Sequence, residues 1–165
     1  NEFSDFARMP KPIFKQNNLV NLIEENINLL KELNNSIEIK FSKTSDRVML
    51  ESDKEQISRV FLNLIKNSIE SINQKSENSS VFNKKITIEL TQINGHISVV
   101  IEDNGIGFNE LKKNIKEILN PYFTTKKNGT GLGLSIVNKI VNDHNGKIDF
   151  IPIDNGAKIK IIFIK

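Results

Sequence analysis

Cysteine is absent from the 165-residue sequence, and long hydrophobic runs are absent as well. Without cysteine the chain cannot use a thiol nucleophile, form a disulfide or build a zinc–thiolate site. The apolar runs stay well below the roughly 20 residues of a membrane-spanning helix, and the first residues have no signal-peptide pattern. We therefore expect one domain that needs no disulfide or metal to fold and does not itself bind a membrane.

The sequence also lacks a large excess of either positive or negative charge. The net charge is +3, from 23 Lys and Arg against 20 Asp and Glu, and the lysines are scattered among acidic residues. Clusters of Arg or Lys with interleaved aromatic residues, which are typical of nucleic-acid binding, are missing. The pattern predicts a solvated surface and no nucleic-acid partner.

Glycine is the third residue in short supply, at eight in the chain. Five of them fall in two clusters, and these are Gly105, Gly107, Gly129, Gly131 and Gly133. Glycine is needed where the backbone adopts positive φ or approaches a ligand closely. Because a polar, lysine-rich segment separates the clusters, together they predict a nucleotide site with a lid.

Neither cluster is specific alone. An Asp-Asn-Gly sequence after a strand is also found in hairpins and calcium loops. The second cluster lacks the Gly-Lys-Ser/Thr ending of a P-loop, and no strand directly precedes it as in a dinucleotide fingerprint. The interpretation depends on both clusters and on the residues around them.

Periodicity and capping signals predict three long helices and about six strands, which make an α+β two-layer sandwich. Asn17 or Asn18 is predicted to cap the first helix, and Asn145-Gly146 to end the third. Ser52 is predicted to cap the second helix, with Glu55 completing a capping box. The predicted helices span residues 17–33, 52–72 and 131–145, with a short one at about 110–119. The predicted strands span residues 37–41, 48–50, 85–91, 96–102, 147–152 and 157–164. Asn94-Gly95 predicts a hairpin between the third and fourth of these strands.

The first residues form a separate region. Hydrophobic residues recur at helical spacing in residues 1–9, and Pro10 and Pro12 forbid continuation of that helix. We predict that residues 1–16 are the end of a helix and a linker, and that residues 17–165 form the domain.

Three polar features require a common explanation. Asn63 and Asn67 lie one turn apart on the second predicted helix, where each costs about 0.5 kcal/mol relative to alanine. Asn carbonyls suit Mg²⁺, and glycine N–H groups at a helix N-terminus suit phosphate. Asp103, at a predicted strand end, can accept a hydrogen bond from an amino group such as that of adenine. A magnesium–nucleotide complex accounts for all three, although both asparagines are also compatible with simple exposure.

Four segments in order resemble the N, first glycine, F and second glycine boxes of sensor histidine kinases. They are NLIKNSIE at 63–70, DNGIGF at 103–108, PYFTTK at 121–126 and GTGLGL at 129–134. The resemblance implies the ATP-binding catalytic domain, whose Bergerat-type fold is shared with DNA gyrase, Hsp90 and MutL. That fold is a mixed sheet covered on one face by three helices.

The resemblance also implies roles for individual residues. Asn67, with Asn63, would hold Mg²⁺ against the phosphates of ATP, and Asp103 would bind the adenine amino group. Lys126 would approach the γ-phosphate. The backbone would pass the base at Gly105 and Gly107 and bind phosphate through the second box, comprising Gly129, Thr130, Gly131, Leu132, Gly133 and Leu134.

The same resemblance implies the partners. The acceptor histidine is expected on a dimerisation and phosphotransfer domain upstream of residue 1, because His96 and His144 fall in a strand and at a helix end. The opening residues are similar to the end of that domain's second helix. A response regulator would receive the phosphoryl group, and the whole protein would be a homodimer whose cytoplasmic part this chain supplies, in a membrane-anchored bacterial sensor. On the last strand, Lys158 and Lys160 stand where relatives often place a threonine near the base.

Two other classes stay open. ATP-hydrolysing clamps of the gyrase and MutL type carry a glutamate one turn before the magnesium asparagine, and Asn63 occupies that position here. An amide cannot act as a base, which favours the kinase. A nucleotide-binding module without catalysis is the third class, and the four intact boxes argue against it.

Overall fold

The computed structural model describes residues 9–78, 81–107 and 133–164. Three helices and seven strands lie in these ranges. The helices are α1 (Leu19–Leu33), α2 (Lys54–Asn78) and α3 (Gly133–Asp143). The strands are β1 (Lys15–Asn18), β2 (Glu38–Lys43), β3 (Met49–Ser52), β4 (Lys85–Ile93), β5 (His96–Asp103), β6 (Gly146–Ile151) and β7 (Ala157–Ile164).

Five strands form a mixed sheet in the order β2-β4-β5-β7-β6. β2 pairs with β4 in parallel, and the other three pairings are antiparallel. The central strands alternate buried and less buried residues, so one face of the sheet packs into the core with the apolar stripes of the helices. The predicted α+β sandwich with three helices on one face of a mixed sheet is confirmed.

The opposite face of the sheet is polar. Glu102 on β5 lies beside Lys158 on β7, with 3.6 Å between the carboxylate and the ammonium. Side chains on this face alternate with core residues along the same strands. Because side chains alternate between the two faces along β5, Asp103 lies on the face towards the helices and Glu102 on the opposite face.

Three helix and turn predictions are confirmed in detail. The side chain of Asn18 caps α1 by accepting from the Val20 N–H at 3.1 Å. Asn94 and Gly95 both have positive φ, 49° and 80°, as the turn of a two-residue β-hairpin requires. The left-handed Asn145, at φ 58°, ends α3 as predicted.

The predicted cap of α2 is wrong by one residue. Ser52 belongs to β3, and its hydroxyl donates to the Leu50 carbonyl at 3.0 Å. Asp53 caps the helix instead, because its Oδ1 accepts from the Gln56 N–H at 3.1 Å. Either residue fits the local sequence pattern, and the pairing of β3 with β1 is what assigns Ser52 to a strand.

Strand β1 was not predicted. Its sequence, KQNN, has no alternating apolar residues, and its pairing with β3 fixes it as a strand. The Asn17 amide also donates to the Ser52 carbonyl at 2.8 Å. β1 spans the predicted boundary between residues 16 and 17, and the domain division itself stays a prediction.

Three further predictions lie outside the described residues, wholly or in large part. These are the helix end in residues 1–8, the short helix at about 110–119, and the first two residues of the third helix, which is described from Gly133 onward. Among the helices that are described, none is long and apolar enough to cross a membrane.

Candidate nucleotide site

Helix α2 carries the two predicted magnesium ligands. Asn63 and Asn67 are half-buried, one turn apart, near the middle of the helix. They border a buried stripe that includes Leu64 and Ile72. Amide oxygens are hard ligands of the kind that Mg²⁺ prefers. Lys66, between them in sequence, is exposed.

Asp103 is the last residue of β5, and its side chain is 5% exposed. Its Oδ1 accepts from the Gly105 N–H at 2.9 Å. Ser68 of α2 and the Ala157 N–H of β7 favour its ionised form and so lower its pKa. The loop, the helix and the neighbouring strand all act on this one carboxylate.

The pKa of Asp103 is raised above its ordinary value, chiefly because burial disfavours the charged form. The hydrogen bonds from Gly105, Ser68 and Ala157 act in the opposite direction, and the nearby charge of Glu102 adds to the rise. A carboxylate supported in this way offers a buried acceptor to a ligand that brings a donor.

The glycines of the first cluster are required by close packing. A Cβ at Gly105 would lie 2.3 Å from the Ser71 hydroxyl oxygen. Gly107 has φ 71°, and its Cβ would lie 2.1 Å from the carbonyl oxygen of Gly156. No larger residue fits either position without moving backbone.

Gly156 is a site residue that the sequence analysis missed. It has φ 130°, and a Cβ there would lie 1.8 Å from the carbonyl oxygen of Asp103. It sits in the bend before β7, so its only local signal is the Asn-Gly dipeptide, which marks an ordinary turn. Its contact with Asp103 depends on the pairing of β5 with β7.

One face of α2 supports the loop at residues 103–107. Ser68 is buried on this face, the Ser71 hydroxyl accepts from the Ile106 N–H at 3.0 Å, and Lys75 Nζ donates to the Asn104 carbonyl at 3.0 Å. Spacings of three and four residues place these side chains on one face of the helix. Sequence analysis missed all three because each looks like an ordinary helix residue.

The side chain of Asn104 secures the other side of the loop. Its Oδ1 accepts from the Lys85 N–H at 3.0 Å, and its amide donates to the carbonyl of Asn83. These bonds tie the end of β5 to the start of β4. The loop is therefore held by both the helix and the sheet.

The predicted second glycine cluster is only partly described. Lys126, Gly129, Thr130, Gly131 and Leu132 lie outside the described residues. Gly133 and Leu134 are half-buried in the first turn of α3. The structure thus brings Asp103, Gly105 and Gly107 together against the helix that carries Asn63 and Asn67.

The residue of β7 beside Asp103 is Ala157, not a lysine. Asp103 and Ala157 are paired across β5 and β7, and both side chains are buried. Lys158 is paired with Glu102 on the polar face, and Lys160 shares that face. The lysines noted in the sequence therefore point away from Asp103, and alanine occupies the position next to it.

The sequence matches a defined family. Residues 52–165 match the histidine kinase-, DNA gyrase B- and HSP90-like ATPase family. Since this match covers more than half of the chain, the chain belongs to that family. Within it, the similarity is to sensor histidine kinases.

The similar proteins include a putative NtrY-like sensor histidine kinase of Rickettsia felis, 37% identical over 98% of this chain and 26% of the relative. The nitrogen regulation protein NtrY of Azorhizobium caulinodans is 31% identical over 97% of this chain and 20% of its own length. This chain thus spans about a quarter or less of the curated relatives it matches.

A solved structure has the same architecture. The catalytic domain of histidine kinase ThkA, in a nucleotide-free form, superposes with a TM-score of 0.77 at 32% identity, over 93% of this chain and 96% of that one. ThkA in complex with the response regulator TrrA superposes with a TM-score of 0.72 at 30% identity, over 92% of this chain and 42% of that one.

Proposed function

We propose that the chain is the ATP-binding catalytic domain of a two-component sensor histidine kinase. It would transfer the γ-phosphoryl group of Mg-ATP to a histidine on a separate helical domain. The observation that carries this proposal is the buried Asp103 carboxylate, held by a glycine loop against the helix that bears Asn63 and Asn67. The family membership and the similarity to sensor kinases support it.

Asp103 would select the base. Its carboxylate accepts hydrogen bonds, so it would bind the amino group of adenine and oppose the carbonyl that guanine presents at the same position. Gly105 and Gly107 keep the loop free of side chains where the base would lie.

Asn67 and Asn63 would hold Mg²⁺ through their amide oxygens. The bound ion would neutralise phosphate charge and orient the γ-phosphate. Backbone N–H groups from Gly129 to Leu134, with the Thr130 hydroxyl, would bind phosphate where the dipole of α3 favours negative charge. Lys126 would add a positive charge at the γ-phosphate.

Phosphoryl transfer needs an in-line nucleophile as well as charge neutralisation. The proposed nucleophile is the acceptor histidine of the dimerisation domain, since His144 is buried at the end of α3 with both ring nitrogens in hydrogen bonds. Water would react poorly, because Asn63 has no basic group to activate it. No observation favours the clamp-ATPase alternative.

The whole protein would contain further parts. A histidine-bearing dimerisation domain would precede this one, and a response regulator would receive the phosphoryl group, as the ThkA–TrrA complex suggests. The protein would act as a homodimer with this domain in the cytoplasm of a membrane-anchored bacterial sensor.

Incubation with γ-labelled ATP, with and without a separately expressed dimerisation domain of the same protein, tests the proposal. Label that is acid-labile and base-stable should appear on that domain only in the mixture. Asn67→Ala should abolish the transfer, while Asn73→Ala, which alters an exposed asparagine of the same helix, should retain it. Rapid phosphate release by the isolated chain would contradict the kinase assignment and favour the clamp ATPase.

A further inference from the structure

Lys75 lies in the last turn of α2 and is half-buried, although lysine is usually exposed. Its ammonium donates a hydrogen bond to the carbonyl of Asn104 at 3.0 Å. It also lies over the ring of Phe82, 4.7 Å from the centroid, which is within the range of a cation–π contact. Two contacts from different elements therefore fix the charged end of this side chain.

The carbonyl that accepts this bond belongs to the peptide between Asn104 and Gly105. A trans peptide is planar, and its C=O and N–H groups point in opposite directions. The Gly105 N–H of the same peptide donates to Oδ1 of Asp103 at 2.9 Å. The ammonium of Lys75, one peptide group and the Asp103 carboxylate thus form a continuous chain of hydrogen bonds.

The two bonds in this chain reinforce each other. A hydrogen bond from a charged donor is stronger than one between neutral groups, and it polarises the peptide that accepts it. The N–H at the other end of the peptide becomes a better donor to Asp103 as a result. The ammonium therefore acts on the direction of the carboxylate through this peptide.

Ser71 holds the next peptide of the loop. It lies one turn before Lys75 on the same face of α2, and its hydroxyl accepts from the Ile106 N–H at 3.0 Å. The side chain of Asn104 ties the loop to β4 on the other side. A rotation of the peptide between these two anchors would still turn its N–H away from the carboxylate. The bond from Lys75 opposes that rotation.

We propose that Lys75 is a positioning residue for base recognition, which orients the Asp103 carboxylate through the peptide between Asn104 and Gly105. The proposal rests on the proposed function, in which Asp103 would bind the amino group of adenine. It gives a part in nucleotide selectivity to a lysine about two turns beyond Asn67 on α2.

The test compares the affinities for ADP and GDP of the parent, Lys75→Met and Lys54→Met, by titration calorimetry. Methionine keeps an unbranched, flexible side chain and removes the ammonium. Lys54→Met is the matched control, because it removes the same charge from an exposed position in the first turn of the same helix. Thermal melts establish that each variant is folded at the temperature of the titration.

A less well oriented carboxylate should weaken ADP more than GDP, because the adenine amino group is the donor that needs it. In Lys75→Met the affinity for ADP should fall about tenfold and that for GDP less than about threefold, the scale of one charge-assisted bond. The preference for ADP should therefore narrow at least about threefold. Loss of stability, or of a general attraction for phosphate, would weaken both nucleotides alike. Lys54→Met should keep the preference of the parent.

Two further variants make the test independent of how well Lys75→Met folds. Phe82→Leu keeps an apolar side chain but removes the ring beneath the ammonium, so the preference for ADP should narrow in the same direction by less. In an Asp103→Ala background, Lys75→Met should change the ratio of the two affinities by less than about twofold, because there is no carboxylate to orient.

Equal losses of ADP and GDP affinity in Lys75→Met would overturn the inference, and so would a change of ratio in the Asp103→Ala background as large as in the parent. A parent that prefers ADP while Lys75→Met and Phe82→Leu keep that preference would overturn this inference alone. A parent that does not bind ADP would overturn the proposed function as well.

Discussion

Two aspartates are associated with α2, and the carboxylate of each accepts a backbone N–H. Asp53, at the start of the helix, accepts from the Gln56 N–H at 3.1 Å and from the Ile13 N–H at 2.8 Å, and its own N–H donates to His144 Nε2 at 3.0 Å. Asp103 is buried, and the loop that follows it contacts the helix further along.

The difference lies in their surroundings. Both carboxylate oxygens of Asp53 accept backbone N–H groups. Asp53 is half-buried, and no glycine is next to it in the sequence. Around Asp103, Gly105, Gly107 and Gly156 exclude side chains. Hydrogen bonding therefore does not single out Asp103 as the candidate binding carboxylate. Its burial and the surrounding backbone that tolerates no Cβ do.

The largest expected effect is a loss of stability when the backbone packing around Asp103 is disturbed. Gly156→Ala would place a methyl group 1.8 Å from the Asp103 carbonyl oxygen at a φ of 130°. We expect a loss of about 3 kcal/mol or more, hence a fall in Tm of roughly 6–12 °C.

Gly95→Ala is the control, because that glycine has φ 80° with no atom within 4 Å of its Cβ position. It should cost about 1 kcal/mol. Equal thermal shifts for the two variants would show that Asp103 is not closely packed.

The next effect concerns Asn67. Asn67→Ala should weaken Mg-ATP binding by about 1–3 kcal/mol, roughly ten- to a hundredfold, because a ligand of the ion is lost. Calorimetry with and without Mg²⁺ measures it, and the loss should vanish when a chelator removes the ion. Asn73→Ala should bind Mg-ATP like the parent, and unchanged binding by Asn67→Ala would refute the magnesium assignment.

Substitution of Asp53 should lower the stability of the fold without changing nucleotide affinity. Asp53→Ala removes the cap of α2 and the acceptor for the Ile13 N–H, so we expect a loss of about 1–2 kcal/mol, or roughly 2–8 °C in Tm. ADP affinity should stay within about twofold of the parent. A large loss of affinity would remove the contrast between the two aspartates.

The smallest expected effect is a gain in stability. Burial raises the pKa of Asp103, so its ionised form opposes folding once the pH exceeds the unfolded-state pKa, and that cost is complete above the folded-state pKa. Asp103→Asn should therefore raise Tm slightly at neutral pH. The gain should disappear as the solution is acidified and both states bind the proton. A Tm difference that does not change with pH would contradict the burial of a charge.

Features of the fold that depend on neighbouring residues in the sequence were predicted correctly. The Asn18 cap, the Asn94-Gly95 turn and the alternating strands were all readable from neighbouring residues. The N-cap of α2 was assigned to Ser52 instead of Asp53, because both residues fit the capping pattern. The pairing of β3 with β1 decides between them. β1 has no apolar alternation to reveal it.

The candidate site rests on two kinds of residue. Asp103 and the two asparagines were singled out by residue type and position, and their roles stay predictions. Ser68, Ser71 and Gly156 belong to the site only because α2 and β7 approach Asp103 in the folded chain. Likewise, Lys158 drew attention in the sequence, yet register places Ala157 beside Asp103.

Base selectivity is the most direct test of the role of Asp103. It is measured as the affinities for ADP and GDP of the parent and of Asp103→Asn. The parent should prefer ADP by at least about tenfold, because a carboxylate repels the guanine carbonyl. The amide of Asp103→Asn has nearly the same shape and can donate or accept, so the preference should narrow or reverse. Equal affinities in the parent, or an ADP preference that survives in Asp103→Asn, would contradict the claim that this carboxylate reads the base.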